Sequence, residues 1–245
     1  MLLEVDSLAK SFGRLRVLDR LSFNVKEGEL KAIIGPNGAG KTTLFNVITG
    51  RYHSDGGRIR FRGKDVTGEK PHVLAGMGLA RSFQINNFFF KLSVLENIRL
   101  SVQSTIKNRT SIWRDAFNQD SVKDRVDEIM EWVELRELAN ELARNLSYGD
   151  QRKLEIALAL GTGPSLVMLD EPTSGMSRFE SQSMIHLVKA LSSRVTIVLI
   201  EHDIEFVMNV SDSIMVMHYG QKIAEGTPQE ISGNQEVQDI YLGGL

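Results

Sequence analysis

The stretch Gly35-Pro36-Asn37-Gly38-Ala39-Gly40-Lys41-Thr42 decides the reading of this chain. It matches G-x-x-x-x-G-K-[ST], a loop whose glycines let backbone N–H groups turn onto the phosphates of a nucleotide. Lys41 then reaches the β- and γ-phosphates, and the Thr42 hydroxyl ligates Mg²⁺. The flanks agree with this: Leu30–Ile34 reads as a short buried strand, and Thr43–Ile48 as the start of a helix. Phosphate at that junction meets unpaired N–H groups and the positive end of the helix dipole. Asn37, Gly38, Ala39, Gly40, Lys41, Thr42 and Thr43 are therefore the candidate phosphate-binding residues.

Outward from the loop, two further apolar runs end in polar residues. Leu166–Leu169 runs into Asp170-Glu171, and Val195–Ile200 into Glu201-His202-Asp203. Uninterrupted apolar runs of this length are what parallel strands covered on both faces look like. Ligands in such sheets sit beyond the carboxyl ends of the strands, so both acids should lie at the phosphates if their strand neighbours that of the loop. Asp170 is placed to hold Mg²⁺ opposite Thr42. Glu171 is placed to orient and deprotonate water, a role worth about 10²–10⁴ in rate. His202 follows the same positional logic one strand later.

Composition bounds the alternatives. At 245 residues, 42% hydrophobic and 24% charged, the chain suits an ordinary α/β domain with a modest insertion. Its net charge of −2 and lack of a long basic run argue against nucleic acid as a partner. With no cysteine, disulfides and thiolate metal sites are excluded. Met1–Asp6 does not read as a signal peptide, and no apolar run approaches the roughly eighteen residues of a membrane span.

Along the chain, residues 2–10 and 21–26 read as strands around a loop containing Phe12-Gly13 and Leu15–Leu18. Arg58–Gly63 alternates as an antiparallel strand, and a short helix and strand fill 65–83. Strand signals vanish from about 86 to 160. Leu95, Ile98, Leu100 and Val102 suggest one helix, and Val122, Val126, Ile129, Met130 and Val133 another. Trp113 and Trp132 are expected to pack in this helical block, and 103–120 to be a loop or short helix. A third helix is read from Tyr148 to Leu160. Further helices are expected over 178–192 and 203–210, then a hairpin over 213–224 and one short C-terminal helix.

Leu146–Ala157, LSYGDQRKLEIA, resembles the LSGGQ signature of ATP-binding subunits of ABC transporters. The order of phosphate loop, lone Gln84, signature, strand-end Asp-Glu and strand-end His202 is similar to that family over essentially the whole chain. The resemblance implies an α/β fold: a P-loop NTPase (RecA-like) core with an N-terminal antiparallel β subdomain and an inserted helical subdomain. A single domain over 1–245 is implied, with core and β subdomain at about 1–85 and 161–245 and the helical subdomain at about 86–160.

It also implies ATP and Mg²⁺ as ligands. Phe12 would stack on adenine with Val17 beside it, Gln84 would touch Mg²⁺ or the attacking water, and His202 the γ-phosphate. Ser147 and Gly149 precede a helix and so offer a second anion site, which in the family completes the nucleotide site of a partner subunit. ATP thus joins two chains, identical or paralogous, and hydrolysis releases them.

Departures from the family pattern are Tyr148 for the first signature glycine, Asp150 at its glutamine position, and serine in Ser174–Ser177 where Asp or Asn is usual. LSYG-type signatures followed by Leu-Glu-Ile-Ala resemble those of branched-chain or hydrophobic amino-acid importers, as does Tyr241-Leu242-Gly243. The three phenylalanines Phe88–Phe90 cannot all face one core, and in the family 86–98 receives the membrane permease. The expected place is cytoplasmic, peripheral on the inner face of the membrane, with a substrate-binding protein engaged only indirectly. Urea or amide import, lipopolysaccharide export and a soluble non-transport ATPase remain alternatives at this level.

Overall fold

The computed structural model describes residues 1–82, 88–104 and 115–242. Gln84 and Trp113 lie outside the described residues. β1 (Leu3–Phe12) and β2 (Leu15–Val25) form a long hairpin. This corrects the expected loop over 15–18, because those residues pair with β1 through Phe12↔Leu15, Ser11↔Arg16 and Lys10↔Leu18. Gly13, at φ 60°, lets a two-residue turn close the hairpin without a loop.

The chain then enters β3 (Leu30–Ile34), the phosphate loop and α1 (Lys41–Ile48). It returns to the hairpin as β4 (Gly56–Phe61) and β5 (Lys64–Asp65), giving a four-stranded antiparallel sheet of order β2-β1-β4-β5. Next come α2 (Pro71–Met77), β6 (Leu79–Arg81), α3 (Val94–Ser104), α4 (Asp115–Trp132) and α5 (Tyr148–Gly161). The second half runs β7 (Leu166–Asp170), α6 (Arg178–Ser192), β8 (Thr196–Ile200), α7 (Ile204–Val210), β9 (Ser213–His218) and β10 (Gln221–Gly226). Two helices close the chain where one was expected, α8 (Pro228–Ser232) and α9 (Gln235–Leu242).

The central sheet has the order β10-β9-β3-β8-β7-β6, parallel except for β10. β3, β7 and β8 are buried at all five residues each, which is why they read as unbroken apolar runs. One face, through Ile33, Met168, Val198 and Met215, packs on Leu44, Phe45 and Ile48 of α1 and beyond them on Leu3, Leu21 and Phe61 of the antiparallel sheet. The other face, through Ala32, Leu169, Leu199 and Val216, packs on helices including α5 and α6. α1 is thus held between two sheets, and the loop at its start is held with it.

α3 buries Val94, Asn97, Ile98 and Val102, whereas Leu100 is 42% exposed. At 100° per residue Leu100 lies some 200° from Ile98, on the opposite side of the helix. Asn97 takes the buried place, its side-chain N–H₂ donating to the carbonyls of Phe89 and Ser93. Trp132 packs on the core edge with the guanidinium carbons of Arg125 and Arg194 at 4.6 and 4.8 Å from its ring.

The condition set on the acid pair, that its strand neighbours that of the loop, is not met. β7 does not neighbour β3, because β8 lies between them. The strand of His202 therefore separates the phosphate loop from the acid pair.

Candidate functional site

The loop geometry follows from two crowded positions. A Cβ on Gly35 would stand 2.2 Å from the Met217 carbonyl oxygen, so only glycine can leave β3 past β9 there. Gly40, at φ 100°, precedes α1 and offers no side-chain cap; a Cβ on it would stand 2.7 Å from the Val17 carbonyl oxygen. The first N–H groups of α1 are thereby left for an anion. Val17 of β2 is in this way placed against the loop, while Asn37, Gly38 and Thr42 are exposed, Thr43 is half-buried and Ala39 is buried.

Lys41 folds back so that its Nζ donates to the carbonyls of Gly35 at 2.6 Å and Pro36 at 3.1 Å. Burial pulls its pKa below the ordinary lysine value, opposed by the carboxylates of Glu171 and Asp170. Those acids are thus within electrostatic reach of the loop lysine despite the intervening strand.

Asp170 ends β7 with a fully buried side chain. Its Oδ2 accepts from Arg81 Nη2 at 2.6 Å, and its Oδ1 has no hydrogen-bond partner among the described residues. Glu171 is half-buried and takes φ 47°, a left-handed conformation that costs a non-glycine residue about 1 kcal/mol or more. Its N–H donates to the Ile200 carbonyl at 2.9 Å, which bends the chain over the end of β8.

His202 is 60% exposed, with Nδ1 at 3.6 Å from Glu201 Oε2, beyond hydrogen-bonding distance. Glu201 itself went unassigned in the sequence. Its fully buried carboxylate accepts from the Thr173 N–H at 2.9 Å, the Thr173 hydroxyl at 2.5 Å and the His202 N–H at 3.0 Å. It ties the end of β8 to the loop that follows Glu171. The available signal was position: a carboxylate closing an apolar strand, the same cue that singled out Asp170.

Phe12, at the end of β1, is 45% exposed and meets Tyr52 edge-to-face at 5.4 Å. The signature residues lie elsewhere. Ser147 caps α5, accepting from the Asp150 N–H and donating to its carboxylate at 2.6 Å. The Gly149 N–H donates to Glu180 Oε1 at 3.3 Å. Tyr148 donates its hydroxyl to the Ser174 carbonyl at 2.9 Å and accepts from Arg152 at 2.7 Å. Ser177 caps α6 in a reciprocal capping box with Glu180, a role serine fills as well as Asp or Asn. The bonds of Tyr148 and Gly149 therefore tie the start of the signature to segment 174–180. Gln84, assigned to Mg²⁺ or water, lies outside the described residues. Of the three phenylalanines, Phe88 is buried while Phe89 and Phe90 are 60% and 43% exposed.

Residues 18–174 match the family model described as ABC transporter. The chain belongs to the ABC transporter family. Residues 221–244 also match the model for branched-chain amino acid ATP-binding cassette transporters. The LivG high-affinity branched-chain amino acid transport ATP-binding protein of Salmonella typhimurium is 40% identical, covering 99% of this chain and 98% of its own. The BraF protein of Pseudomonas aeruginosa, of the same description, is 37% identical over 99% and 98%. A crystal structure of an ATP-binding cassette of an ABC transporter in its ADP conformation superposes with a TM-score of 0.84 at 33% identity, covering 99% and 98%. A nucleotide-free cassette superposes at 0.82 and 32%, covering 98% of each chain.

As a member of this family, the chain is a nucleotide-binding ATPase with the P-loop fold. No helix among the described residues is long and apolar enough to cross a membrane.

Proposed function

We propose that this chain is one of two ATP-binding subunits that close on ATP and drive a membrane permease importing branched-chain or other hydrophobic amino acids. The observation that carries the two-chain part is the separation of its two anion-receiving helix starts. α1 opens on Lys41, whereas α5 opens on Ser147 and Gly149, whose hydrogen bonds go to Asp150 and Glu180. A second copy turned head to tail would bring its signature to this chain's phosphate loop. The amino-acid load is supported by the LivG and BraF relatives and by the match at 221–244.

Within that reading Lys41 and the N–H groups from Asn37 to Thr43 hold the phosphates, Phe12 and Val17 take the adenine, and Ser147 and Gly149 serve the partner's nucleotide. Glu171 takes the proton from the attacking water, and His202 orients on the γ-phosphate. Gln84 is assigned on resemblance alone. The site suits Mg²⁺: a buried carboxylate oxygen of Asp170 without a partner among the described residues and the hydroxyl of the exposed Thr42 form a sparse hard-oxygen donor set. Mg²⁺ bound there would neutralise charge on the β- and γ-oxygens.

The chain is read as one domain over 1–245 with a helical subdomain at about 86–160, supported by the shared core of α3, α4 and α5. Phe89 and Phe90 offer apolar surface to the permease at 86–98, which would hold the subunit on the inner membrane face.

The test is reconstitution with candidate permease subunits and a leucine-binding protein in liposomes. ATP hydrolysis stimulated by leucine, isoleucine or valine is expected. Stimulation by urea or an amide alone would replace the substrate assignment, and failure to associate with any membrane subunit would remove the transport reading.

A further inference from the structure

Arg81 closes β6, and its side chain is 7% exposed. Its Nη2 donates to Asp170 Oδ2 at 2.6 Å, and its Nη1 to Asn46 Oδ1 at 2.6 Å and Thr49 Oγ1 at 3.3 Å. The guanidinium carbon stands 5.8 Å from the Phe45 ring. One side chain therefore joins the acid end of β7 to the helix that carries the phosphate loop. Its far side borders a cavity of about 190 Å³ walled by Leu74, Ala75, Leu79 and Leu158. Its hydrogen bonds among the described residues go to Asn46, Thr49 and Asp170.

A buried carboxylate needs a partner, and among the described residues the Lys41 Nζ donates to the carbonyls of Gly35 and Pro36 whereas Arg81 donates to Asp170. The two arms of the rigid guanidinium are divided, Nη1 anchored on Asn46 and Thr49 and Nη2 on a single carboxylate oxygen of Asp170, so that the position of Oδ2 is tied to α1. With Oδ2 so fixed, the carboxylate plane also sets the direction of Oδ1, which has no partner among the described residues.

We propose that Arg81 is a positioning residue for Asp170: anchored on Asn46, it sets the free carboxylate oxygen that receives the divalent cation of the nucleotide complex. The proposal rests on the nucleotide and Mg²⁺ reading above. A group that hydrogen-bonds a metal-holding carboxylate typically changes metal affinity by about 10- to 100-fold when removed.

The experiment uses the full chain with ADP and Mn²⁺ in place of Mg²⁺, with Mn²⁺ binding followed by electron paramagnetic resonance and ADP affinity measured separately in EDTA. Arg81→Met should weaken Mn²⁺ binding to the ADP complex by about tenfold or more while leaving metal-free ADP affinity unchanged. Asn46→Ala, which removes the anchor without stranding a charge, should give a smaller loss of the same kind. Arg81→Lys should recover part of it. In an Asp170→Asn background, Arg81→Met should add no further loss.

Unchanged Mn²⁺ affinity and spectrum in both Arg81→Met and Asn46→Ala, with only a lowered melting temperature, would make the pair merely structural and overturn the proposal. Should Arg81→Met fail to fold, Asn46→Ala decides alone. Absence of ADP binding in the unmodified chain would instead strike the nucleotide reading.

Discussion

At the scale of single residues, Asp170 and Glu171 are adjacent in sequence and opposite in environment. Asp170 is buried and bonded by Arg81, whereas Glu171 is half-buried and lifted out of the strand line by its positive φ. The first is held in place by its bond to Arg81, and the second keeps part of its surface open to solvent. Glu171→Gln is expected to leave ATP affinity intact while turnover falls by about 10² or more, and to accumulate an ATP-bound dimer by size-exclusion chromatography. Normal turnover in this variant would remove Glu171 from proton abstraction. Lys41→Ala deletes the charge facing the phosphates, and ATP affinity should fall about 10- to 100-fold by equilibrium titration. Residue types at strand ends were legible in the sequence because chain direction alone places them at the ligand edge. Arg81 and Glu201 were not, since nothing local says that a guanidinium on β6 will meet Asp170, 89 positions on, or that Glu201 will accept from Thr173.

Among elements, the contact between the start of α5 and the loop before α6 stands out. Tyr148 occupies a position where the family commonly has glycine, and its ring fills the space beside Gly175, where an added Cβ would stand 3.2 Å from it. Its hydroxyl bonds the Ser174 carbonyl, so the signature and the loop after Glu171 are joined within one chain. Tyr148→Phe keeps the ring and removes the hydroxyl's bonds to Ser174 and Arg152. A loss of about 0.5–1.5 kcal/mol in urea unfolding is expected, with faster hydrogen exchange in 174–177. No change in either would show that ring packing alone holds the clasp. Helix existence and period were legible for α4, where Val126, Ile129, Met130 and Val133 face the core as read. Leu100 was misplaced because apolar spacing over four residues does not distinguish the two sides of α3 when a satisfied Asn97 occupies the buried one.

Across the whole molecule, one end of β3 carries the phosphate loop, and near the other Lys31, 3% exposed, pairs with Glu29 at 3.2 Å and Glu225 at 2.8 Å. Burial alone would raise the Glu29 carboxyl, but hydrogen bonds from the Lys26 N–H and Ser213, with the Lys31 charge, hold it below its ordinary value. Glu225 is lowered likewise, burial being outweighed by hydrogen bonds from Lys222 and Lys31. Carboxylates depressed in the folded state contribute stability that is present above their unfolded value of 4.5 and lost as pH falls through the folded pKa. Unfolding midpoints in urea should therefore drop as pH falls below 4.5, and Lys31→Met should flatten that dependence by removing the shared cation. A pH profile identical to that of the unmodified chain would show that the cluster does not couple to folding.

The phosphate loop, the helix that follows it, the acids and histidine at strand ends and the signature at a helix start are all written in local sequence. These depend on spacing along the chain, and glycine conformational freedom, helix capping and strand alternation act within a few residues. Long-range packing instead puts β8 between the loop strand and the acid strand, Arg81 on Asp170, and Tyr148 on Ser174. Each joins segments tens of residues apart. Which partners meet there is set by sheet order and by the shared burial of α1 between two sheets, and no local pattern encodes either.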